Sequence, residues 1–368
     1  MRIVILANAD IGLYKFRREL IERLVREHEV TALIPCGEFT QALRGLGLRV
    51  EEFEFNRRGT DPLADIRQLM RYKRALKRLA PDAVLTYTVK PNIYGGMAAR
   101  SLKIPFFANV TGLGTAFENG GLLSLITRFL YKRGLRGARR VFFQNRSNME
   151  AFRSLGIFRG ECTLLPGSGV NTQEYAFSPY PDGPGTRFLF VGRLMRDKGI
   201  YELLEAVQRL HAEDPSVTCD IVGWSEEGEI PGLDEAVRSG AVRMHGRQPG
   251  ALEYYRACSC AVLPSYHEGM ANVNLEASSC GRPVITTDVP GCRETADDGV
   301  TGFIIPAGDA EALYEAMCRF SKLSAAERAR MGAAAREKAV REFDRAAVVE
   351  AYMRELDSLK AGRGPEGV

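Results

Sequence analysis

The sequence predicts an α/β protein of two domains, each a parallel sheet built from β-α-β units. Three observations carry this expectation. Short apolar runs alternate with helical stretches along the whole chain, as parallel strands joined by crossover helices do. The 368 residues, 45% of them hydrophobic, suffice for two cores at about 150 residues per domain. Between the halves lies Ser178-Pro-Tyr-Pro-Asp-Gly-Pro-Gly185, a Pro- and Gly-rich stretch of linker character.

The first domain is expected over residues 1–177. It opens with a strand, Arg2–Ala7, a turn through Asn8-Ala-Asp-Ile-Gly12, and a helix near Lys15–Glu27. Strands follow at Val30–Ile34, Val50–Phe53, Ala83–Thr86, Phe106–Val110 and Val141–Gln144, with helices at Pro62–Leu79 and Leu122–Leu135. The second domain, residues 186–345, repeats the pattern. Its strands are expected at Arg187–Val191, Thr218–Val222, Val242–Met244, Cys260–Leu263, Val284–Thr286 and Gly302–Ile305, with helices at Ile200–Glu213 and Ala271–Ser279. Helices Ala325–Glu342 and Ala346–Leu359 close the chain, and the tail 362–368 is expected to be disordered.

Eight scattered cysteines without a Cys-x-x-Cys pair read as a reduced, cytoplasmic protein rather than a disulfide or zinc framework. The opening apolar run is too short for a signal peptide, and no run is long enough to span a bilayer. Charge is uneven. Residues 1–175 carry 28 basic and 16 acidic side chains, the remainder 22 and 30. A basic half implies an anionic partner: nucleic acid, a membrane surface or a phosphorylated substrate.

Two segments carry chemistry. In Ser265-Tyr-His-Glu-Gly-Met-Ala-Asn-Val-Asn-Leu-Glu276, Glu268 and Gly269 occupy the loop that feeds a helix N-terminus. Such an end offers N–H groups and a positive dipole to an anionic or polyhydroxylated ligand. Glu276 lies further along the same helix in an otherwise small and apolar stretch, where a charge needs a partner. In Phe188-Leu-Phe-Val-Gly192-Arg193-Leu-Met-Arg-Asp-Lys198-Gly199 a strand runs into two cations bracketed by glycines. Arg offers a planar fork to phosphate oxygens and Lys a point charge.

Together these segments resemble the Glu-x7-Glu and Gly-Arg…Lys-Gly elements of retaining glycosyltransferases of family 4, which have the GT-B fold. The resemblance implies two Rossmann-like domains facing a cleft, with a crossover helix, 346–361, returning to the N-terminal domain. It places Glu276 on the ribose hydroxyls of a UDP-sugar. Glu268 then lies beside the donor sugar, and Gly269, Met270, Ala271 and Asn272 hold sugar and phosphate. Gly192, Arg193 and Lys198 fall to the diphosphate. Glu268, Arg193 and Lys198 are therefore the candidate catalytic groups. The UDP-sugar is a substrate, so no cofactor is implied. The sequence holds no Asp-x-Asp pair for a metal-bridged diphosphate, and a metal-independent enzyme is expected.

In the first half, Gly12 stands where strand one meets helix one and can present N–H groups to a phosphate. By resemblance it borders the donor phosphate or the acceptor. The segments Thr86-Tyr-Thr-Val-Lys-Pro-Asn-Ile-Tyr-Gly-Gly96 and Asn109-Val-Thr-Gly-Leu-Gly-Thr-Ala-Phe117 follow strand carboxyl ends, where ligand sites form. They resemble the subgroup that acts on polyprenyl-diphosphate-linked sugars. Transferases adding N-acetylgalactosamine to undecaprenyl-diphosphate-linked diacetylbacillosamine are among its members. Lys90, Asn92, Tyr94, Asn109, Thr111 and Gly112 are accordingly the candidate acceptor residues. Many family members have histidines in the first segment. The only histidines here are His28, His211, His245 and His267, so an imidazole base in this domain is not expected.

Two basic, half-apolar helices are candidates for an anionic membrane surface: Arg71, Arg74, Lys77 and Arg78 on one, Arg128, Lys132 and Arg133 on the other. The expected enzyme is thus peripheral at the inner face of the cell membrane. The alternatives are a UDP-sugar epimerase of similar fold, although such enzymes do not resemble the two donor segments in combination, and a family 4 transferase with a different hexose donor or a soluble acceptor. Nucleic-acid binding has no recognisable module in its favour.

Overall fold

The computed structural model describes residues 1–54, 61–112, 121–181, 183, 185–225 and 228–361. The tail 362–368, residues 113–117 and positions 182 and 184 of the expected linker lie outside the described residues. The chain divides into two compact units, Met1–Ser168 with the residues from Ala346 onward, and Gly169–Arg345.

The division therefore falls after Ser168 rather than within 178–185. Two guanidinium groups explain why. Arg336 donates to the carbonyl oxygens of Thr172, Tyr175 and Ser279 at 3.1, 3.0 and 2.8 Å. Arg282, with no exposed surface, donates to those of Ser178, Pro179 and Arg256 at 3.0, 2.9 and 2.7 Å. The stretch expected to end the first domain is bound to the second.

The first unit has seven parallel strands: β1 (Arg2–Leu6), β2 (Glu29–Ile34), β3 (Arg49–Glu52), β4 (Ala83–Tyr87), β5 (Phe106–Val110), β6 (Arg140–Phe143) and β7 (Cys162–Leu164). Their order is β3-β2-β1-β4-β5-β6-β7. Ile3 pairs with Val30 on one side and Ala83 on the other. Ile3 and Ile5 face a core that includes Val348, Tyr352 and Leu356 of the last helix, Arg345–Ala361. Val4 and Leu6 face Tyr72, Leu76 and Ala98. Burial on both faces is why these strands read as unbroken apolar runs rather than as alternating ones.

Helix Asp10–Glu27 starts well before the expected Lys15. The Asp10 carboxylate accepts from the N–H of Ile11 at 2.7 Å and of Phe39 at 2.8 Å, and from the Thr40 hydroxyl at 3.1 Å. This ties the chain into helix at Asp10 and draws Gly12 into the first turn. Helix Pro62–Leu79 starts as the sequence predicts, with Asp61 accepting from Leu63 N–H at 2.9 Å and Pro62 at the first position.

The second unit has six parallel strands: β8 (Thr186–Val191), β9 (Val217–Val222), β10 (Val242–Gly246), β11 (Cys260–Leu263), β12 (Val284–Thr287) and β13 (Gly302–Ile305). They run in the order β10-β9-β8-β11-β12-β13. Helices Ile200–Glu213, Asn272–Ser279, Ala310–Ser321 and Ala325–Phe343 are the longest that cover this sheet.

Candidate active site

Both sheets reverse their strand order once, between β1 and β4 and between β8 and β11. Connections on the two sides of such a switch point leave in opposite directions and open a crevice at the strand carboxyl ends. In the second unit the loops leaving β8 and β11 are the two segments singled out in the sequence.

Backbone approach joins those loops. Gly199 ends the turn Arg196–Lys198 with φ 71°, and a Cβ there would lie 2.1 Å from the Pro264 carbonyl oxygen. Only glycine lets the chains pass so closely. Asp197 O accepts from Tyr266 N–H and from the Ser265 hydroxyl, both at 2.9 Å. The result is an ion pair between Lys198 Nζ and Glu268 Oε1, with both side chains mostly buried. Arg193 lies exposed just beyond Gly192.

A third loop, which the sequence reading missed, supports Glu268 from behind. Gly291 has φ 85°, and a Cβ there would sit 2.4 Å from the Glu268 carbonyl oxygen. Its own carbonyl accepts from Ala271 N–H at 2.7 Å. Helix Asn272–Ser279 then begins without a side-chain cap, with Met270 and Ala271 buried and Gly269 half-buried. Among the described residues, the Asn272 side-chain oxygen is buried with no hydrogen-bond partner. An uncapped helix start with an orphan amide suits a polar ligand group. Glu276, one turn on, accepts from the Tyr255 hydroxyl at 2.9 Å.

In the first unit, the loop leaving β4 carries Thr88 with φ 71° and a buried hydroxyl. A π-helical turn, Pro91–Gly95, follows. Strained backbone and π turns recur at functional sites. Lys90 Nζ pairs with Asp65 Oδ1 at 2.9 Å, and the Tyr94 hydroxyl donates to Asp65 Oδ2 at 2.7 Å. Asp65 was not a candidate in the sequence; here it partly neutralises Lys90 and orients Tyr94. Gly12 sits in the helix's first turn; beyond its own helix backbone and chain neighbours, no atom among the described residues lies within 4 Å of an added Cβ. Thr111 and Gly112 are half-buried just past β5.

Two acceptor candidates are corrected. Asn92 and Asn109 are 0% and 1% exposed. Asn92 accepts from the Thr86 hydroxyl at 2.7 Å and donates to Asn109 O at 2.8 Å. Asn109 donates to the Tyr352 hydroxyl at 2.6 Å. These side chains tie β4, β5 and the last helix together, which leaves them no surface for a ligand.

The basic candidates divide. Arg71 pairs with Glu54 at 3.0 Å and Arg78 with Glu51 at 2.5 Å. Arg74, Lys77, Lys132 and Arg133 are exposed, and Arg128 is half-buried. Among the described residues no helix is long and apolar enough to cross a membrane.

Comparison with known proteins fits this arrangement. Residues 12–167 match the model "Glycosyl transferase 4-like domain" and residues 185–322 match "Glycosyl transferases group 1". The chain is 30% identical over 380 residues to N,N'-diacetylbacillosaminyl-diphospho-undecaprenol alpha-1,3-N-acetylgalactosaminyltransferase of Campylobacter jejuni, spanning 98% of this chain and 99% of that protein. It is 33% identical over 129 residues, 34% of each chain, to a capsular polysaccharide biosynthesis glycosyltransferase of Staphylococcus aureus. Its fold is similar to that of Anabaena HepE, solved with UDP and glucose, with a TM-score of 0.79, 20% identity and coverage of 97% and 100%. Sucrose-phosphate synthase from Thermosynechococcus elongatus is equally similar, with a TM-score of 0.79, 20% identity and coverage of 98% and 100%. Two switch-point sheets, the joined loops after β8 and β11 and the near-full-length likeness lead to one conclusion: the chain belongs to glycosyltransferase family 4, has the GT-B fold, and transfers a sugar from a nucleotide sugar.

Proposed function

We propose that the chain moves N-acetylgalactosamine from its UDP-sugar to an undecaprenyl-diphosphate-linked saccharide at the cytoplasmic membrane face, with retained configuration and without a metal. The supporting observation is the likeness to the Campylobacter enzyme along nearly the whole length of both chains. The UDP-bound HepE structures favour UDP as the leaving group.

In this reading Glu276 accepts from the ribose hydroxyls, and Arg193 and Lys198 meet the charge that develops on the β-phosphate. Glu268 orients the donor sugar, with the amides of Gly269–Asn272 around it and Gly12 bordering the phosphate or acceptor. Lys90, held by Asp65, faces the acceptor diphosphate, with Tyr94, Thr111 and Gly112 nearby. The acceptor hydroxyl attacks C1 from the face UDP leaves. The C1–O bond to UDP breaks as the new C1–O bond forms, and a departing phosphate oxygen takes the hydroxyl proton.

The test is a panel of UDP-sugars with short-chain polyprenyl-diphosphate saccharides, with products identified by mass and NMR. An α-linked N-acetylgalactosamine product is expected. Preference for another UDP-sugar overturns the donor, a β-linked product overturns retention, and turnover only with a soluble sugar overturns the lipid-linked acceptor.

A further inference from the structure

Large apolar side chains crowd two helix starts on the first unit. Leu63, Ile66 and Met70 of helix Pro62–Leu79, with Leu125, Ile126 and Phe129 of helix Gly121–Leu135, leave 45–67% of their surface exposed. Soluble monomers rarely expose so many large apolar groups together.

Helical spacing makes the arrangement directional. Leu63, Ile66, Met70, Arg74 and Lys77 fall on one stripe at three- and four-residue steps. Leu125 and Phe129 continue into Lys132 and Arg133 in the same way, and the Arg133 guanidinium lies over the Phe129 ring at 5.2 Å. Each stripe is apolar in its first half and basic in its second. At about 1.5 Å per residue, the basic groups begin roughly 5–6 Å, about one turn, beyond the last apolar ones.

Both helices follow a strand of the parallel sheet, so both start at its carboxyl edge. The loop carrying Lys90 and Tyr94 leaves β4 at that same edge, and Asp65, between Leu63 and Ile66, bonds both of its polar side chains. The apolar ends therefore flank the candidate acceptor loop.

We propose that these two helix starts insert into an anionic lipid surface, with Leu63, Ile66, Leu125 and Phe129 below the headgroups and Arg74, Lys77, Lys132 and Arg133 among them. The charge order favours lipid: apolar groups at the tip and unburied cations one or two turns behind match acyl chains under anionic headgroups. The choice of lipid over a second copy of the chain also rests on the lipid-linked acceptor proposed above. The insertion surface is thus the apolar helix starts, and the basic helix ends expected from sequence act as a rim.

Flotation with phosphatidylglycerol–phosphatidylethanolamine vesicles tests this. The variant Leu63→Ser, Ile66→Ser, Leu125→Ser, Phe129→Ser should bind vesicles at least tenfold more weakly than the parent. Its unfolding temperature and its turnover of a short-chain soluble acceptor should be unchanged. The pairs Leu63→Ser, Ile66→Ser and Leu125→Ser, Phe129→Ser, each expected to lose threefold or more, serve if the quadruple variant does not fold. Charge reversal at Arg74 and Lys77 should weaken binding only at low salt. Binding within twofold of the parent overturns the inference, as does a parent that ignores vesicles and forms a dimer the variant breaks. Stripe-dependent vesicle binding by an enzyme that rejects every polyprenyl acceptor would leave the insertion standing and sink the acceptor proposal instead.

Discussion

Tyr255 donates its hydroxyl to Glu276 Oε2 at 2.9 Å from a position with no exposed surface. Burial first, and the Glu276 charge second, hold this phenol well above its usual range, so it remains a donor at working pH. Tyr175 is raised for the same two reasons, and its ring meets Tyr255 edge-on at 6.1 Å. The Glu276 carboxylate is oriented by the protein rather than left to rotate.

Tyr255→Phe keeps the ring and removes the donor. Nucleotide-sugar affinity should fall about tenfold, or ~1.4 kcal/mol, with little change in kcat. Glu276→Ala should lose more, since each hydrogen bond to a charged group contributes roughly 1.5–3 kcal/mol. Calorimetry with UDP-sugar reads both. Parent-like affinity in Tyr255→Phe would reduce that residue to packing, and parent-like affinity in Glu276→Ala would remove the ribose role.

Lys198 and Arg193 are expected to matter to turnover more than to folding. Each lies on the connection that leaves β8, Lys198 at the end of its short helical turn, and a fixed cation aimed at developing charge is worth about 100-fold or more in kcat. Lys198→Ala and Arg193→Ala should each lower kcat by about that factor while unfolding temperature moves by only a few degrees. Activity should also survive chelator. Loss with chelator and recovery with manganese or magnesium would contradict a cation-only site.

Two glycines make an opposing pair. Gly199→Ala must force a Cβ into the Pro264 carbonyl at φ 71°, so it should destabilise by roughly 1–3 kcal/mol or more. Gly12→Ala meets no atom of the described residues beyond its own helix within 4 Å and replaces a helical glycine, so stability should hold or rise by about 0.5–1 kcal/mol. A raised KM for donor or acceptor in the stable Gly12→Ala protein would indicate a ligand against that backbone. Denaturant titration with steady-state kinetics separates the cases, and unchanged kinetics would reduce Gly12 to a turn residue.

Legibility in the sequence followed the physics of each element. β5 and β11 have the bounds expected for them, because strands buried on both faces leave mostly apolar runs, interrupted in β5 by Asn109 alone. Helices Leu233–Arg238 and Leu252–Ala257 span six residues each, too few turns to show a period. The segments after β8 and β11 stood out because their cations and carboxylates follow strand ends directly. Tyr255 reads as an ordinary core aromatic, and Asp65 as a solvated acid on a basic helix. Gly291 is needed only because the distant Glu268 carbonyl crosses it. Asn92 and Asn109 looked like ligand contacts because they are polar groups near strand ends, a place equally suited to ties between strands.

The last prediction concerns acid stability and His28, which is buried where helix Asp10–Glu27 ends. Burial lowers its pKa below 6.5; Lys360 and the N-terminal amine push the same way, against the Glu27 carbonyl and carboxylate. Below 6.5 the unfolded chain therefore takes up this proton more readily than the folded one. The stability from keeping His28 neutral is full above 6.5 and is lost as pH falls through the folded pKa. The Glu51 carboxyl, held low chiefly by its hydrogen bond from Arg78, loses its contribution only below about 4.5, outside this window. Unfolding temperature should thus drop between pH 7.5 and 5.5 in the parent and drop less in His28→Phe. Parallel slopes for the two proteins would show that the acid sensitivity in this range arises elsewhere.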